Sequence, residues 1–210
     1  MRPSPTRFVG MMALVALAAG AAGCSSARPS AYAAGKLPAG VRIAILPLAN
    51  YTEVPDASNH WVPRLAVELA RQRDLEVVDA GEVERVLGSE PWLLLDRVPL
   101  ELIERFGAEL NAQALIVGSV LAFGERAGGG EPVPEVSVSL RLLTVPGGRV
   151  IWSAVDSRDG TNGETVFGIG REGSLERLAE ESARAIVATF PRVARAAGKP
   201  DAKPAEKETK

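Results

Sequence analysis

The chain has 210 residues, of which 46% are hydrophobic, 24% charged and 5% aromatic, with a formal net charge of -2. That apolar share supports a core and rules out wholesale disorder, and the slightly acidic balance lacks the basic face that general nucleic-acid binding needs. One Cys and one His exclude a disulfide framework, multi-thiolate or His-rich metal sites, and any mechanism that needs two imidazoles.

Residues 1–23 have the pattern of an export signal. Arg2 and Arg7 supply a positive start, and 8–22 is an apolar run too short to span a bilayer comfortably. It ends in Gly20-Ala21-Ala22-Gly23, directly before Cys24. Small residues suit a peptidase that grips extended backbone closely, and the thiol is the nucleophile that takes a lipid. The segment resembles the lipobox of bacterial lipoproteins, with Ala21 where that family usually carries Leu. The resemblance implies cleavage before Cys24 and a covalent diacylglycerol and N-acyl lipid on it, with no other cofactor. Three acyl chains exceed the two signals that stable attachment requires. Ser25, where retained proteins have Asp, implies the outer membrane, with the protein on its periplasmic face. Losing Arg2 and Arg7 leaves 22 basic residues against 26 acidic ones, so the lipid rather than surface charge would hold the membrane.

After Cys24, the stretch to residue 40 is Ser, Ala, Pro and Gly without a period, which predicts a flexible tether. Its 16 residues from 25 to 40 would reach about 53 Å when fully extended. Residues 194–210, rich in Ala, Lys, Pro and Glu, predict a disordered tail. Between them, 41–193 is the length of one domain.

Within it, 42–48 is a short apolar run read as a strand. Ser58 or Asn59 is the candidate cap of a helix with Pro63 in its first turn and Trp61, Leu65 and Leu69 on one face. Residues 75–78 predict a strand, and Val83, Val86 and Leu87 a short helix. Leu100, Ile103, Phe106 and Leu110 form a helical stripe beginning at Pro99. Residues 114–123 are apolar on both faces, as a central strand requires. A Gly/Pro loop over 128–134 follows. Val136, Val138, Leu140 and Leu142 then alternate with Ser137, Ser139 and Arg141, so one face is core and the other wet. Pro146-Gly147-Gly148 is a turn into a strand over 150–155. Leu175, Leu178, Ala179, Ala183, Ile186, Val187 and Phe190 mark a long amphipathic helix. The order β-α-β-α-α-β-β-β-α predicts an α/β fold, a mixed sheet with helices packed on it, ending in a β-meander and a long C-terminal helix.

Three segments carry a wider resemblance. LEVVDAGEVERVL over 75–87, GAELNAQALIVGSV over 107–120 and VSLRLLTVPGGRVIW over 138–152 are similar to successive motifs of one superfamily. It comprises the curli-secretion lipoprotein CsgG, the penicillin-binding-protein activator LpoB and the N-terminal domain of TolB. The resemblance implies that family's fold and an envelope role. Within the motifs, Gly118 allows a neighbouring backbone to approach, and Trp152 is expected in the core or under the last helix. The segment 124–134 holds no alternating strand of the transmembrane-hairpin kind, which argues against a pore.

Gly168-Ile-Gly-Arg-Glu-Gly173 spells G-x-G-x-x-G, yet it precedes the last helix, with no later strand to carry a ribose-binding acid. The bland reading is a flexible approach to a helix capped by Ser174. As a long Gly-rich loop with an aromatic, it is also a candidate partner surface through Phe167, Gly168, Gly170 and Arg171. Trp92, in an apolar cluster between two helices, reads as core or, if exposed, as an interface residue. His60 reads as a surface or capping residue, and Glu101, Glu104, Glu180 and Glu181 as solvated helix faces. No catalytic or metal-binding set is found. The expectation is a non-enzymatic adaptor or assembly factor for an envelope complex, with unidentified envelope proteins and the membrane as partners and no nucleic acid. The alternatives are a ring-forming channel subunit, an activator of a peptidoglycan synthase, or a nucleotide- or ligand-binding domain using 168–173.

Overall fold

The computed structural model of the chain describes residues 27–88, 98–126, 132–161 and 172–194. Along them run β1 (Ser30–Ala33), β2 (Val41–Ile45), β3 (Ala49–Asn50), α1 (Ala57–Ala70), β4 (Leu75–Val77), α2 (Ala80–Leu87), α3 (Leu100–Glu109), β5 (Ala114–Arg126), β6 (Val133–Thr144), β7 (Val150–Asp159) and α4 (Leu175–Ala188). The predicted mixed α/β fold is present, as a seven-stranded sheet in the order β1-β7-β6-β5-β2-β4, with β3 also paired to β5. β2 lies parallel to β4 and β5, whereas β5, β6, β7 and β1 pair antiparallel in turn.

Strand alternation sorts side chains into two cores. On one face Ile43, Ile45, Ile116, Val138, Leu140 and Trp152 pack against Trp61, Leu65 and Leu69 of α1 and Leu178, Ala183 and Ile186 of α4. On the other, Ala44, Leu46, Leu115 and Val117 pack against Val83 and Leu87 of α2 and Ile103 and Phe106 of α3. β5 supplies both cores, which is why it reads as apolar throughout. Gly118 sits where β5 meets β6: a Cβ there would lie 2.1 Å from the Ser139 carbonyl oxygen, so only glycine fits. Trp152 is buried, its Nε1 donating to Thr189 Oγ1 at 3.1 Å, and its ring meets Phe190 edge-on at 5.1 Å. Thus it lies both in the core and beneath the end of α4.

Several local expectations give way. α1 starts at Ala57 behind Asp56, so Pro63 falls inside the helix, and Ser58 is not its cap. The Ser58 hydroxyl instead accepts the Leu48 backbone N–H at 3.1 Å, tying the connection between β2 and β3 to α1. Pro99 is the residue before α3 rather than its first helical position, and Leu100 remains 46% exposed. β6 takes in Pro134, expected in a loop, opposite Glu125 at the end of β5. Ser137, expected on a wet face, is buried and shares a 2.7 Å hydrogen bond with Ser157.

The largest change is at the N-terminal side. Ser30–Ala33, placed by sequence in a flexible tether, forms β1 against β7 with Ser30 opposite Val155 and Ala33 opposite Trp152. Leu37, in the same stretch, is buried and bridges Val193: its N–H donates to Arg192 O at 3.0 Å, and Ala194 N–H donates back to Leu37 O at 2.7 Å. The folded body therefore begins at least ten residues before the predicted boundary at 41. Gly118→Ala should cost about 1–3 kcal/mol through forced separation of β5 from β6, read as a lowered urea midpoint. Gly173→Ala, which meets open space, should stay within about 0.5 kcal/mol of the parent.

Candidate functional site

β1 places the start of the described chain beside a buried ionic cluster. Trp152, Ala154 and Asp156 are successive inward positions of β7, so the carboxylate of Asp156 points under α4. Its Oδ2 accepts from Ser182 Oγ of α4 at 2.5 Å and from Arg158 Nε at 2.7 Å. The Arg158 Nη2 then donates to the backbone carbonyl of Ala27 at 3.1 Å, and its Nη1 stands 3.9 Å from Glu181. Side-chain exposure is 1% for Asp156 and 11% for Arg158, so neither charge is stabilised chiefly by water. Helix, strand and N-terminal segment are thereby joined through one carboxylate and one guanidinium.

The same edge carries an open surface. α2 and α3 cover β2 and β5, and among the described residues no helix covers the corresponding face of β6, β7 and β1. That face presents Ser139, Arg141, Ser153, Val155, Ser157 and Tyr32, with Tyr32 61% and Val155 40% exposed. It is small-residue, flat and part apolar, a form suited to protein contact. A groove of about 370 Å³ between α1 and α4 has Pro63, Val67 and Ala183 among its lining residues. Its cations are engaged internally, with Arg71 2.6 Å and Arg184 3.7 Å from Glu68.

Cys24, Trp92, Phe167, Gly168, Gly170 and Arg171 lie outside the described residues. Their flanks are informative. The Glu172 N–H donates to Gly160 O at 2.9 Å, and a Cβ on Gly160 would sit 2.2 Å from Glu172 O. Gly160 and Glu172 are thus in contact at the end of β7. Ser174 caps α4 as expected, accepting from Arg177 N at 3.3 Å. His60 is not a cap: its ring stacks on Phe123 at 4.8 Å with Nδ1 3.5 Å from Glu176, so it helps join α1, β5 and α4. Arg64 pairs with the same Glu176. Glu101, Glu104, Glu180 and Glu181 are exposed as expected.

Asp156, Arg158 and Ser182 escape sequence reasoning. For Asp156 and Arg158 the one signal is polar residues at inward positions of β7, which breaks the alternation that otherwise marks the strand. Elsewhere Arg42 braces the other edge. It donates to both Glu82 oxygens, at 3.0 and 2.9 Å, and to Glu76 and the Leu110 carbonyl. Burial alone lowers its pKa, but the bonds and attraction to Glu82 and Glu76 outweigh this and raise it above the ordinary guanidinium value. Among the described residues, no group of three or more His, Cys, Asp and Glu side chains is placed to hold a metal ion. No helix among them is long and apolar enough to cross a membrane.

Neither a family model nor a curated protein matches the chain. Solved structures do. The chain is similar to PelC from Paraburkholderia phytofirmans, a dodecamer, at 20% identity and TM-score 0.56, over 78% of this chain and 97% of that one. It is similar to the lipoprotein GNA1162 from Neisseria meningitidis at 19% identity and TM-score 0.54, over 70% and 99% of the two chains. The C-terminal domain of LpoB from Salmonella enterica aligns more loosely, at 19% identity and TM-score 0.44, over 60% and 87%. At these identities the chain shares the fold of PelC and GNA1162.

Removing one partner of the buried pair leaves the other charge uncompensated. Asp156→Ala should therefore destabilise the domain by about 3–5 kcal/mol, measured by urea unfolding. Arg158→Ala should in addition speed amide hydrogen exchange across β1 more than across β5, because Ala27 loses its fixing point.

Proposed function

We propose that the chain is a lipid-anchored protein of the outer membrane's periplasmic face, acting as a non-catalytic adaptor or assembly factor for an envelope complex. Its observation is the coincidence of two features at one end of the chain. The lipobox resemblance supports a lipid on Cys24, and three residues further on the Ala27 carbonyl is held by Arg158. Anchoring raises the effective concentration of a binding surface for neighbours on the same membrane. The open face of β6, β7 and β1, with Tyr32 and Val155, is the surface offered to them. The fold shared with a lipoprotein and the three motifs similar to the CsgG, LpoB and TolB superfamily support the same reading.

One observation favours a second form of this role, a ring-forming subunit: PelC, of similar fold, is a dodecamer. Homomeric rings need a heterologous surface pair, and the open face supplies one half of it. The mass of the detergent-extracted protein separates the two forms, since a monomer overturns the ring.

Cys24→Ala should move the protein from the membrane fraction to the soluble periplasm. A photocrosslinking residue at Val155 should give a discrete adduct with an envelope protein, and that adduct should vanish in the Cys24→Ala background. Continued membrane association of Cys24→Ala, or crosslinking indifferent to it, would overturn the anchored-adaptor reading.

A further inference from the structure

We infer that the outer edge of β1 pairs with β1 of a second copy of this chain, joining two sheets antiparallel about a two-fold axis at Tyr32. Sheet edges are ordinarily blunted by charge, proline, a bulge or extreme shortness, because free N–H and C=O groups recruit other chains. The edge at β4 follows that rule: it is three residues long, and its middle residue is Glu76, paired with Arg42. The edge at β1 does not. Ser30-Ala31-Tyr32-Ala33 carries no charge, proline or bulge and is exposed throughout, and among the described residues only β7 pairs with it.

The register shows which groups are free. The Ala34 N–H donates to Ile151 O at 2.8 Å, one step beyond the pairing of Ala33 with Trp152. Hydrogen-bonded and non-hydrogen-bonded pairs alternate along an antiparallel ladder. Ser30 and Tyr32 therefore turn their backbone groups to β7, and Ala31 and Ala33 turn theirs outward. Pro29, next in the outward series, has no N–H, and Gly35, at φ 80°, turns the chain off the line of the strand. Val193 bridges Leu37 in parallel, so the chain at Ala194 heads onward with residue 38 rather than back along β1.

Such an edge is complementary to itself. Ala31 opposite Ala33 of the second copy, and Ala33 opposite its Ala31, exchange four N–H···O bonds and use every free group on both edges. Tyr32 then faces its own counterpart at the central non-hydrogen-bonded position, where side chains lie closest. It is 61% exposed, on the face it shares with the 40% exposed Val155, so aromatic pairing adds to the backbone bonds. On the other face a foreign strand would meet only Ala31 and Ala33, which offer no pocket to select it. The pairing stops before Arg28 would stand opposite Lys36 of the second copy as a like charge. Four residues a side are too few to hold a dimer in dilute solution. Here the inference rests on the reading that Cys24 is lipidated: a shared membrane supplies the concentration, and the two-fold sets both anchors at one height along its axis.

The test is disulfide formation in intact cells expressing the full chain, whose only native cysteine is Cys24. Directly opposed Cα atoms, about 5.5 Å apart, lie within disulfide reach, whereas diagonal neighbours at roughly 7–8 Å lie beyond it. Cells expressing Ala31→Cys and Ala33→Cys chains together should give several-fold more disulfide dimer on oxidation than cells expressing either alone. Tyr32→Cys should dimerise by itself, and adding Ala31→Pro, which removes only an outward N–H, should abolish that dimer. A mixture no better than its single components would overturn the register, and a Tyr32→Cys dimer that survives Ala31→Pro would overturn backbone pairing as its cause. A Tyr32→Cys chain that stays monomeric, or that joins a different protein, would overturn the second copy as the occupant. Disulfide dimer in the parent chain would come from an unmodified Cys24 and overturn the lipid reading alone.

Discussion

The pairing of Ser30–Ala33 with β7 makes part of the predicted tether part of the fold, and the geometry of this sheet edge follows from it. Four exposed residues bury too little apolar surface to offset the entropy of fixing their backbone. β1 is ordered by what holds its two ends. At one end Arg158 grips the Ala27 carbonyl, and at the other Leu37 is buried and bridged to Val193. The sheet edge between these points needs only backbone hydrogen bonds. The same arrangement covers the edge of β7, which would otherwise present unpaired N–H and C=O groups to other chains.

The clamp explains why charge sits under α4. A buried ion pair does little for stability against a well-packed apolar substitute, because desolvation offsets most of the attraction. What it supplies here is connection. Asp156 accepts from Ser182 of the helix at 2.5 Å and from Arg158 at 2.7 Å, and Arg158 reaches on to the edge at Ala27. An apolar cluster in the same place could pack α4 on β7 but could not reach the carbonyl of Ala27. β5 plays the matching part in the middle of the sheet. Its residues serve both cores, and among the described residues only one of its flanks has helices on both faces, giving three layers on that side and two on the other. The β1–β7 edge belongs to the side with two described layers.

Most of this frame is legible in the sequence. Period-two and period-3.6 patterns locate all nine elements expected between 41 and 193, because each buries at least one regular stripe. The elements that stay hidden have no stripe. Ser-Ala-Tyr-Ala in β1 is exposed on both faces, and β3 is two residues long, so backbone pairing alone defines them. Pro63 misplaces the start of α1 because proline signals a first turn, whereas here Trp61, Leu65 and Leu69 anchor the helix strongly enough to accept it inside. Asp156 and Arg158 lie beyond the strand expected over 150–155 and prove to be inward residues of a longer β7. Polar type is a poor guide to direction once a strand runs under a helix that offers a hydroxyl. Of the motif residues, Gly118 and Trp152 are where their chemistry places them; the candidate site residues Cys24, Trp92, Phe167, Gly168, Gly170 and Arg171 lie outside the described residues.

The account turns on Cys24 being the lipidated first residue of the mature protein. The most direct measurement is mass spectrometry of the N-terminal peptide from membrane-extracted protein. The account predicts a peptide beginning at Cys24 and carrying three acyl chains, one of them on the α-amino group. A mature N-terminus elsewhere, or a free thiol at Cys24, would contradict it.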